Sequence, residues 1–541
     1  MNSGDETTGS AEVYDTIFIG SGIGTILCAS LLAQFRNERV LILEKHFTPG
    51  GFTHTFKRKN RFFWDVGIHY IGDLQEGSIL RKLFDLLSGQ ALRWQKMPAV
   101  FEKFVYPDLE GKGEGYFTFP VYDDPDRFVA DLARLFPAEE AAIRKYIDDI
   151  RKVNTWFGRH VSIRGRAPFT DHLDEAFAQK EGFNPRHSVG EYIDARISDK
   201  RLKALLLSQW GNYGLPPAQA SFIIHAAVAQ HYFHGGYYPL GGSHRIFESI
   251  VPFLEKTGSS VKTSHEVTEI LVENGRAIGV KAQALRGSEK SEQVFYGKKI
   301  ISDAGAYNTY LRLLKKEPVP FAEKLETFYR KHPVVSNVTL YLGLNGDPRQ
   351  LGFGGENHWI YSSYDHDANF REGDTWIQKG RAAGAYLSFP SLKNAEAKDH
   401  TAEVIAFTDY AFFERWKHQP WRKRDEEYRR LKDSITESLL QFIEARYPGF
   451  RALVEYSELS TPITTEHFAS HPRGSIYGVA CTPERFVAHE APWCNPVSPF
   501  ENLYLTGADV SSPGVAGAMM GAVATLSQLP GGFKLLDLMR L

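Results

Sequence analysis

Apolar and polar residues near the start of the chain follow the pattern of two buried strands around one helix. Residues 14–19 form a short run rich in Ile and Phe that predicts a β-strand, and residues 39–43 predict a second strand. Between them, apolar residues recur at helical spacing over residues 23–35. Residues 20–24 are a glycine-rich turn, and the second strand ends in Glu44. The pattern therefore predicts a β-α-β unit that opens with a glycine turn and closes with an acid.

Each part of this unit suits the binding of a dinucleotide. Gly20 permits the tight turn out of the strand, and Gly22 lets backbone N–H groups approach a pyrophosphate at the positive end of the helix. Glu44 stands where its carboxylate can accept hydrogen bonds from the ribose hydroxyls of the adenosine. One position departs from the usual motif, because Thr25 stands at the third glycine, next to Gly24. The complete order of strand, turn, helix, strand and acid predicts dinucleotide binding rather than an ordinary β-α-β unit.

Later parts of the chain extend this predicted site. Residues 260–282 predict three short strands, two of which are joined by an Asn-Gly hairpin turn. Residues 300–305 return the chain toward the cofactor. Residues 502–509 are a strand that runs into Thr-Gly-Ala-Asp, and the small apolar residues 514–521 predict a helix whose N-terminus faces the cofactor. Both ends of the chain are therefore expected to close one cofactor site.

The length and charge of the chain limit its possible architecture and partners. With 541 residues it exceeds the roughly 250–300 residues at which one hydrophobic core stops growing, so two domains are expected. A formal net charge of −2 lacks the basic excess that nucleic-acid binders carry, so no nucleic-acid partner is expected. Three cysteines in so long a chain argue against a secreted disulfide scaffold, and a reducing cytoplasm is the expected location. Residues 1–13 are predicted to be a disordered leader.

Two short amphipathic segments raise the question of membrane contact. No apolar run reaches the roughly 18 residues that a membrane span needs. Residues 79–87 and 533–541 carry apolar and basic residues that could rest on a membrane surface. Packing against the core is the commoner use of such a face, and it is the favoured interpretation here.

Further motifs resemble those of a flavoprotein family. Gly50 and Gly51 follow Glu44 closely, as in flavoproteins related to amine oxidases and phytoene desaturases. Residues 63–72 (FWDVGIHYIG) resemble the signature of the retinol saturase family, and other matching stretches keep the same order along residues 14–526. The chain therefore resembles the retinol saturase family, with carotenoid isomerases and phytoene desaturases as more distant relatives.

The resemblance implies a two-domain α/β flavoprotein of the amine oxidase and phytoene desaturase type. Its Rossmann-type FAD-binding domain is expected to be discontinuous and to comprise residues 14–75, 235–310 and 495–530. An α+β substrate-binding domain is expected from residues 76–234 and 311–494, with a sheet and helices over an apolar tunnel.

The resemblance also implies where FAD and the reacting groups lie. Val267 is expected to contact the adenine through its backbone, and Asp509 the ribityl or pyrophosphate part. His69, Tyr70 and Tyr237 are the candidate catalytic residues, with His69 or Tyr70 as proton donor. The alternatives are that His69 orients FAD or its loop, and that Tyr237 serves aromatic packing. The expected FAD-binding residues are Gly20, Ser21, Gly22, Gly24, Thr25, Glu44, Lys45, Gly50, Gly51, Phe52, Asp65, Gly67, Val267, Gly507, Asp509, Val515 and Ala516.

Two other groups of polar residues have ordinary interpretations. Arg473 could face a polar head group or the flavin, although a surface or interdomain ion pair is the usual fate of an arginine. His225, His231 and His234 cluster in the sequence, but no carboxylate or cysteine pattern accompanies them, so no metal site is expected.

The implied reaction is reduction of one carbon–carbon double bond in a hydrophobic retinoid, carotenoid or related polyene or prenyl lipid. Reduced flavin would deliver hydride from N5 to one alkene carbon, and a proton would reach its neighbour. Desaturation or cis–trans isomerisation is the alternative within the family, and a lipid-binding protein with structural FAD is the alternative of another class. NAD(P)H is a candidate electron donor, but residues 351–355 lack the helix and acid of a second dinucleotide motif. The electron donor stays open.

Overall fold

A computed structural model describes residues 12–108, 115–163, 178–180, 182–286, 291–332, 334–487 and 489–540. Residues 1–11 of the predicted leader lie outside these ranges, whereas Val13 already begins the first strand. The strands in the described residues are β1 (Val13–Ile19), β2 (Val40–Leu43), β3 (Thr55–Arg58), β4 (Phe62–Asp65), β5 (Trp94–Lys96), β6 (Val100–Pro107), β7 (Tyr116–Tyr122), β8 (Tyr237–Pro239), β9 (Ser260–Lys262), β10 (His265–Glu273), β11 (Arg276–Ala284), β12 (Glu292–Ser302), β13 (Ser336–Leu344), β14 (Asn357–Tyr361), β15 (Gly384–Ser388), β16 (His400–Thr408), β17 (Val454–Ser460) and β18 (Leu503–Leu505).

Helices cover the faces of the sheets formed by these strands. Several begin at a side chain that caps the first turn, such as Ser78, which accepts from Arg81 N, and Asp425, which accepts from Tyr428 N. The α-helices in the described residues span Ile23–Arg36, Ile79–Ser88, Pro125–Leu135, Glu140–Ile163, Val189–Asp194, Lys200–Leu207, Phe222–His231, Arg245–Glu248, Val251–Lys256, Gly305–Tyr307, Ala322–Lys331, His366–Gly373, Trp376–Lys379, Pro390–Lys393, Glu426–Glu444, Pro462–Ala469, Gly514–Gln528 and Leu535–Leu538, and Asn308–Leu313 is π-helical.

The first sheet has a Rossmann-type parallel centre. β1 pairs in parallel with β2 on one side and with β12 on the other, while β9 extends the sheet beyond β2 and β18 extends it beyond β12. β10 and β11 form an antiparallel hairpin, and β11 pairs with the first half of β12. Every residue of β2 is buried, as expected for a parallel strand covered on both faces. The predicted β-α-β unit is present as β1, the helix Ile23–Arg36 and β2.

Glycines bring the first helix close to the C-terminal segment. A Cβ added to Gly24 would lie 2.7 Å from the backbone N of Gly507, and one added to Gly521 would overlap the carbonyl oxygen of Gly507. The close approach that a third motif glycine usually permits is thus made by Gly24. The buried residue Thr25 instead donates its backbone N–H to Asp303 Oδ2 at 3.0 Å.

The second sheet separates a hydrophobic core from a large cavity. Its order in the described residues is β17-β13-β16-β15-β14-β6-β7, and its pairs are antiparallel except for β14 with β6. Along β13, Leu340 and Leu342 are buried in the core together with residues of the helix Glu426–Glu444. The alternate residues Thr339 and Tyr341 line the cavity. One strand therefore stabilises the core with one face and shapes the cavity with the other.

The two amphipathic segments pack against the core. In the helix Ile79–Ser88, Leu83 and Leu87 are fully buried in the cluster that also contains the first helix. Leu538 of the C-terminal helix Leu535–Leu538 is buried in the same cluster, and Lys82 donates to the carbonyl oxygen of Met539. Among the described helices, none is both long enough and apolar enough to cross a membrane.

The contact at Gly521 generates a prediction about stability. Gly521→Ala should lower the free energy of unfolding by roughly 1–3 kcal/mol, because the new methyl group overlaps the backbone of Gly507. The matched control is Gly158→Ala in the helix Glu140–Ile163, where an added Cβ meets open space. This change should be neutral or should raise the free energy of unfolding by about 0.5–1 kcal/mol. Urea unfolding curves measure both values, and equal stability of the two variants would contradict the packing described here.

Candidate active site

A continuous cavity of about 1790 Å³ lies between the two sheets. It is larger than the roughly 300–1,000 Å³ of an ordinary ligand pocket, so it has room for a cofactor and a second molecule. Its wall has three regions that differ in chemistry. The glycine region comprises Gly20, Ser21, Gly22, Glu44, Gly51 and Val267, the aromatic region comprises Tyr70, Trp210, Tyr232, Trp359, Tyr361, Tyr386 and Phe407, and the basic region comprises Lys57, Arg58, Arg422, Arg424, Arg429 and Lys432.

Glu44 is held in place within the glycine region before any ligand binds. Its Oε2 accepts from the backbone N (3.0 Å) and the hydroxyl (2.6 Å) of Ser21, and its Oε1 accepts from His46 N at 2.6 Å. The hydroxyl of Ser21 in turn accepts from Gly50 N at 2.8 Å. Burial raises the pKa of Glu44, and these hydrogen bonds oppose that shift. The carboxylate therefore lines the cavity in one fixed orientation at the end of β2.

Glycine backbones and one acid meet at the start of the first helix. A Cβ on Gly51 would lie 2.9 Å from Gly22 Cα, and a Cβ on Gly22 would lie 2.6 Å from Asp303 Oδ2. Gly22 is the N-cap of the helix and has no side chain to cap it, whereas Asp303 Oδ2 accepts from Thr25 N in the first turn. The other N–H groups of this first turn, beside two close glycine turns, fit the pyrophosphate of a dinucleotide.

Asp303 is a site residue that sequence reasoning missed. It follows β12, lines the cavity and accepts from Thr25 N. Burial, together with the negative charges of Glu44 and Asp509, raises the pKa of Asp303 to about 7, although the hydrogen bond from Thr25 opposes the shift. An acid directly after a buried parallel strand was the available signal, because the carboxyl ends of parallel strands meet at one edge of the sheet.

Asp509 lies at the cavity wall, but backbone groups use both of its oxygens. Its Oδ2 accepts from Ala306 N at 2.7 Å, and its Oδ1 accepts from Val479 N at 2.8 Å. The fully buried Arg485 donates to the carbonyl oxygen of Ala508 at 2.6 Å and also to that of Val479. These contacts join three chain segments just before the helix Gly514–Gln528.

The structure brings most of the predicted site residues to the cavity. Within the described residues, those that line it are Gly20, Ser21, Gly22, Glu44, Lys45, Gly51, Phe52, Gly67, His69, Tyr70, Val267, Asp509, Val515 and Ala516. Those that do not are Gly24, Thr25, Gly50, Asp65, Gly507 and Tyr237.

Asp65 and Tyr237 lie behind the cavity wall. Asp65 is fully buried, and its carboxylate accepts from the Tyr238 hydroxyl and from Ser243 N at 2.8 Å. Tyr237 exchanges backbone hydrogen bonds with Ile71 at 2.8 and 2.9 Å, and its ring packs against the cluster of the first helix. Asp65 and Tyr237 therefore support the segment that carries His69 and Tyr70, and neither lines the cavity.

Tyr70 forms a hydrogen-bonded pair with a buried acid. Its hydroxyl donates to Glu102 Oε1 and accepts from Asn212 Nδ2 at 3.2 Å. Glu102 also accepts from Trp359 Nε1 at 2.9 Å and from Gln209 Nε2 at 2.7 Å. Burial raises the pKa of Glu102 to about 7, and it raises the pKa of Tyr70 well above its usual value. A carboxyl group whose pKa is raised toward neutrality therefore accepts from the hydroxyl of a tyrosine that lines the cavity.

His69 belongs to a second cluster of buried ionisable residues. Its Nδ1 lies 2.8 Å from Glu403 Oε2, and Glu403 is fully buried. Lys393 donates to the carbonyl oxygen of His69 at 2.7 Å and to the hydroxyl of Ser388 at 2.6 Å. Burial raises the pKa of Glu403 and lowers the pKa of Lys393 to about 7.

Glu102, Glu403 and Lys393 were not predicted from the sequence. A signal exists for the two acids, because each stands in a strand, β6 or β16, that is made largely of apolar residues. A charged residue at such a position is buried, and buried charges are either paired or functional.

The other polar candidates lie outside this arrangement. Arg473 is half exposed, lies 3.8 Å from Asp409 and covers the ring of Tyr410, so it forms a surface ion pair. His225 contacts two tyrosine hydroxyls, and burial lowers its pKa to about 3. His231 accepts from Gly72 N at 2.9 Å. In the described part of the chain, no group of three or more His, Cys, Asp or Glu residues could hold a metal ion.

Comparison with known proteins agrees with this geometry. Residues 19–87 match the model of the NAD(P)-binding Rossmann-like domain. The chain is 32% identical to the all-trans-retinol 13,14-reductase of Danio rerio over 532 residues, which cover 95% of this chain and 85% of the relative. The chain belongs to the all-trans-retinol 13,14-reductase family. The reductase of Rattus norvegicus is 30% identical (96% of this chain, 86% of the relative). Prolycopene isomerase 2 of an Oncidium hybrid cultivar is 25% identical (86% of this chain, 76% of the relative). The family predicted from the motifs is confirmed.

Solved structures confirm the predicted fold class. An oxidoreductase from Methanosarcina mazei aligns with a TM-score of 0.60 at 15% identity, covering 95% of this chain and all of that one. A triple mutant of putrescine oxidase aligns with a TM-score of 0.60 at 14% identity, covering 95% of this chain and 97% of that one. At such identities the likeness concerns the fold, which is that of a Rossmann-type amine oxidase-like protein.

The Glu102 carboxyl generates a prediction about pH. Its pKa is 4.5 in an ordinary setting and about 7 in the folded protein, so the folded state binds more protons between these values. Its contribution to the free energy of unfolding therefore falls as pH rises from about 4.5 to about 7. The free energy of unfolding of the wild type minus that of Glu102→Gln should therefore fall by on the order of 2–3 kcal/mol over this interval.

The control for this experiment is Glu444→Gln. Backbone hydrogen bonds from Arg451 and Gly449 lower the pKa of Glu444 below its ordinary value of 4.5, so its contribution to stability is lost mainly as pH falls below this interval. Its variant should differ from the wild type by an offset that does not change with pH. Denaturant unfolding at several pH values measures both differences, and parallel curves for wild type and Glu102→Gln would refute the assignment.

Proposed function

We propose that this protein is an FAD-dependent oxidoreductase that reduces one carbon–carbon double bond of a retinoid, carotenoid or related polyene lipid. The observation that carries this proposal is the cavity, which joins a dinucleotide-binding glycine region to an aromatic region past His69 and Tyr70. The names of the relatives support it, since they are retinol reductases and prolycopene isomerases.

FAD fits the glycine region through groups that are already oriented. Glu44 would accept hydrogen bonds from the adenosine ribose, and the glycine-rich start of the first helix would face the pyrophosphate. Val515 and Ala516, in the first turn of the helix Gly514–Gln528, would lie against the flavin. Reduced flavin, when bound, supplies a hydride to an alkene carbon.

The aromatic region would hold the polyene. Tyr70 stacks on Tyr232 with ring centroids 4.3 Å apart, and Trp359 and Tyr386 lie 4.5 Å apart. Flat aromatic faces suit an extended conjugated chain, and burial among them excludes water from the reacting bond. A conjugated chain also spreads developing charge along its length, which reduces the need for strong electrophilic catalysis.

Tyr70 is the proposed proton donor to the neighbouring carbon. Tyr70 lines the cavity and its hydroxyl donates to Glu102, but burial disfavours a phenolate because the pKa of Tyr70 is raised well above its usual value. Transfer of its proton must therefore be coupled to replacement of that proton. Glu102 can replace it across the existing hydrogen bond, because its raised pKa of about 7 keeps a protonated fraction at neutral pH.

His69 is proposed to position the reacting segment. Glu403 contacts its ring, and Lys393 holds its backbone carbonyl oxygen. These two contacts fix the ring and the peptide next to Tyr70. With His69 in a positioning role, Tyr70 is the residue that would transfer the proton to the substrate.

A direct assay tests the proposed reaction. The purified protein should absorb in the flavin region. After reduction with dithionite without oxygen, adding all-trans-retinol or a carotenoid should reoxidise the flavin and yield a product heavier by two hydrogens. A product lighter by two hydrogens would indicate desaturation, and an unchanged mass with altered geometry would indicate isomerisation. Bound flavin that no polyene reoxidises would favour a lipid-binding protein with structural FAD and would refute the proposal.

Proton donation by Tyr70 is tested by a matched pair of variants. Tyr70→Phe should lower kcat for alkene reduction by about 10²–10⁴-fold, because the hydroxyl proton is lost while the ring is kept. Tyr237→Phe is the control, since that ring packs outside the cavity, and its kcat should change less than about twofold. Stopped-flow reoxidation of the reduced flavin measures both rates. Equal rates for Tyr70→Phe and the wild type would assign proton transfer to another group.

A further inference from the structure

The basic region of the cavity contains more positive charge than its acids can neutralise. It is formed by the end of β3, by Arg422 and Arg424, and by the first half of the helix Glu426–Glu444. The one acid that lines it in the described residues, Glu458, is bound by Arg58 through two hydrogen bonds of 2.6 and 2.8 Å. Tyr456 also donates to Glu458 at 2.7 Å. The charge of Glu458 is therefore already paired with Arg58, and it does not neutralise the other basic residues of the region.

Arg424 is buried in this region with neutral partners. It is 7% exposed, and it donates to the Tyr428 hydroxyl at 3.2 Å and to the Ile463 carbonyl oxygen at 3.4 Å. Its Nε is buried and has no hydrogen-bond partner among the described residues. No described carboxylate forms an ion pair with it within 4 Å. Arg424 therefore presents a buried charge that the protein itself does not pair.

The neighbouring basic groups reinforce this charge. Lys432 lines the same region, and burial together with the charge of Arg424 lowers its pKa, while Glu458 and Asp433 act in the opposite direction. At the rim, Lys57, Arg422 and Arg429 are exposed, and Arg429 pairs with Glu426 at 2.6 Å. Such a funnel of one sign attracts anions from solution.

We propose that the basic region binds the phosphate or carboxylate group of a small molecule that enters the cavity, with Arg424 and Lys432 as its principal contacts. The physical reason is the cost of burying an unpaired charge, which is large unless a partner of opposite sign is present. An arginine also offers several fixed N–H groups to a phosphate or carboxylate.

Two kinds of molecule with a phosphate or carboxylate group are candidate ligands for this region. One is NADPH, a candidate electron donor for which the sequence has no second glycine motif. The other is a polyene lipid with an acidic head, and this case rests on the proposed function. Strand β13 connects the basic region with the aromatic region. Toward the basic region, Tyr341 contacts Phe56, whose ring lies under Arg58. Toward the aromatic region, Asn337 pairs with Phe407, which stacks on Trp210.

The basic and aromatic regions are close enough to share one lipid. Tyr341 and Asn337 lie on the same face of β13, four residues apart, or about 13 Å at ~3.3 Å per residue. A lipid with its head at Arg424 would thus have its chain directed along this strand toward the aromatic region.

The test is binding to the flavin-containing protein without turnover. Calorimetry measures NADPH and inorganic pyrophosphate, and quenching of tryptophan fluorescence measures all-trans-retinoic acid and all-trans-retinol. The variants are Arg424→Gln and Lys432→Gln. The controls are Arg430→Gln, which lies on the same helix, and Lys423→Gln, which is next to Arg424 in sequence; both residues are exposed and neither is among the cavity-lining residues. Lys432→Gln keeps the test valid if Arg424→Gln fails to fold.

The expected result is that NADPH or retinoic acid binds at least about tenfold more weakly to both variants, and that added salt weakens binding to the wild type. Retinol binding and both controls should change less than about twofold. Loss for NADPH alone identifies the hydride donor as the ligand, and loss for retinoic acid identifies an acidic lipid. Unchanged binding of all three anions in the variants, or no binding to the wild type, would overturn the proposal. Failure of alkene reduction with intact anion binding would instead refute only the proposed function.

Discussion

The close approach of glycine backbones around Asp303 is the contact on which the rest of the structure depends. Gly22 and Gly51 leave no room for a side chain between them, and Gly24 rests on Gly507. This approach brings the N-terminal helix, the loop after Glu44 and the C-terminal segment to one edge of the first sheet. Only then do both ends of a 541-residue chain border the same cavity. A methyl group at any of these positions would separate them, because protein interiors have no spare volume to absorb it.

Buried charge is the second organising feature. Glu102, Glu403 and Lys393 are each almost or fully inaccessible, yet all three lie directly behind His69 and Tyr70. Burial moves the pKa values of Glu102 and Lys393 toward 7, from opposite directions. Such an arrangement costs folding free energy, and proteins retain costs of this kind mainly at functional sites. In the proposed reaction, Glu102 would pass a proton to Tyr70 in each turnover and would then be reprotonated from solvent.

The cavity combines three kinds of wall that separate elements supply. The first sheet provides the backbone groups for a dinucleotide, the second sheet provides aromatic rings, and the loop and helix around Arg424 provide positive charge. Along β13, residues that line the cavity alternate with residues that build a hydrophobic core. Alternating residues of one strand therefore provide the cavity surface and the folding stability.

The sequence by itself determined the β-α-β unit, the Glu44 end of β2, the C-terminal strand and helix, and the family, because each depends on spacing between neighbours in the chain. Only the tertiary structure decided that Tyr238 rather than Tyr237 meets Asp65, and that Asp65 stands behind the cavity wall. It also decided that Glu102, Glu403 and Lys393 surround His69 and Tyr70 and that Arg424 has no acidic partner among the described residues. The physical reason is that local periodicity sets which face of an element is apolar, whereas pairing between residues hundreds of positions apart depends on how the two sheets pack. Ionisation follows from that packing as well, since burial and distant partners set it.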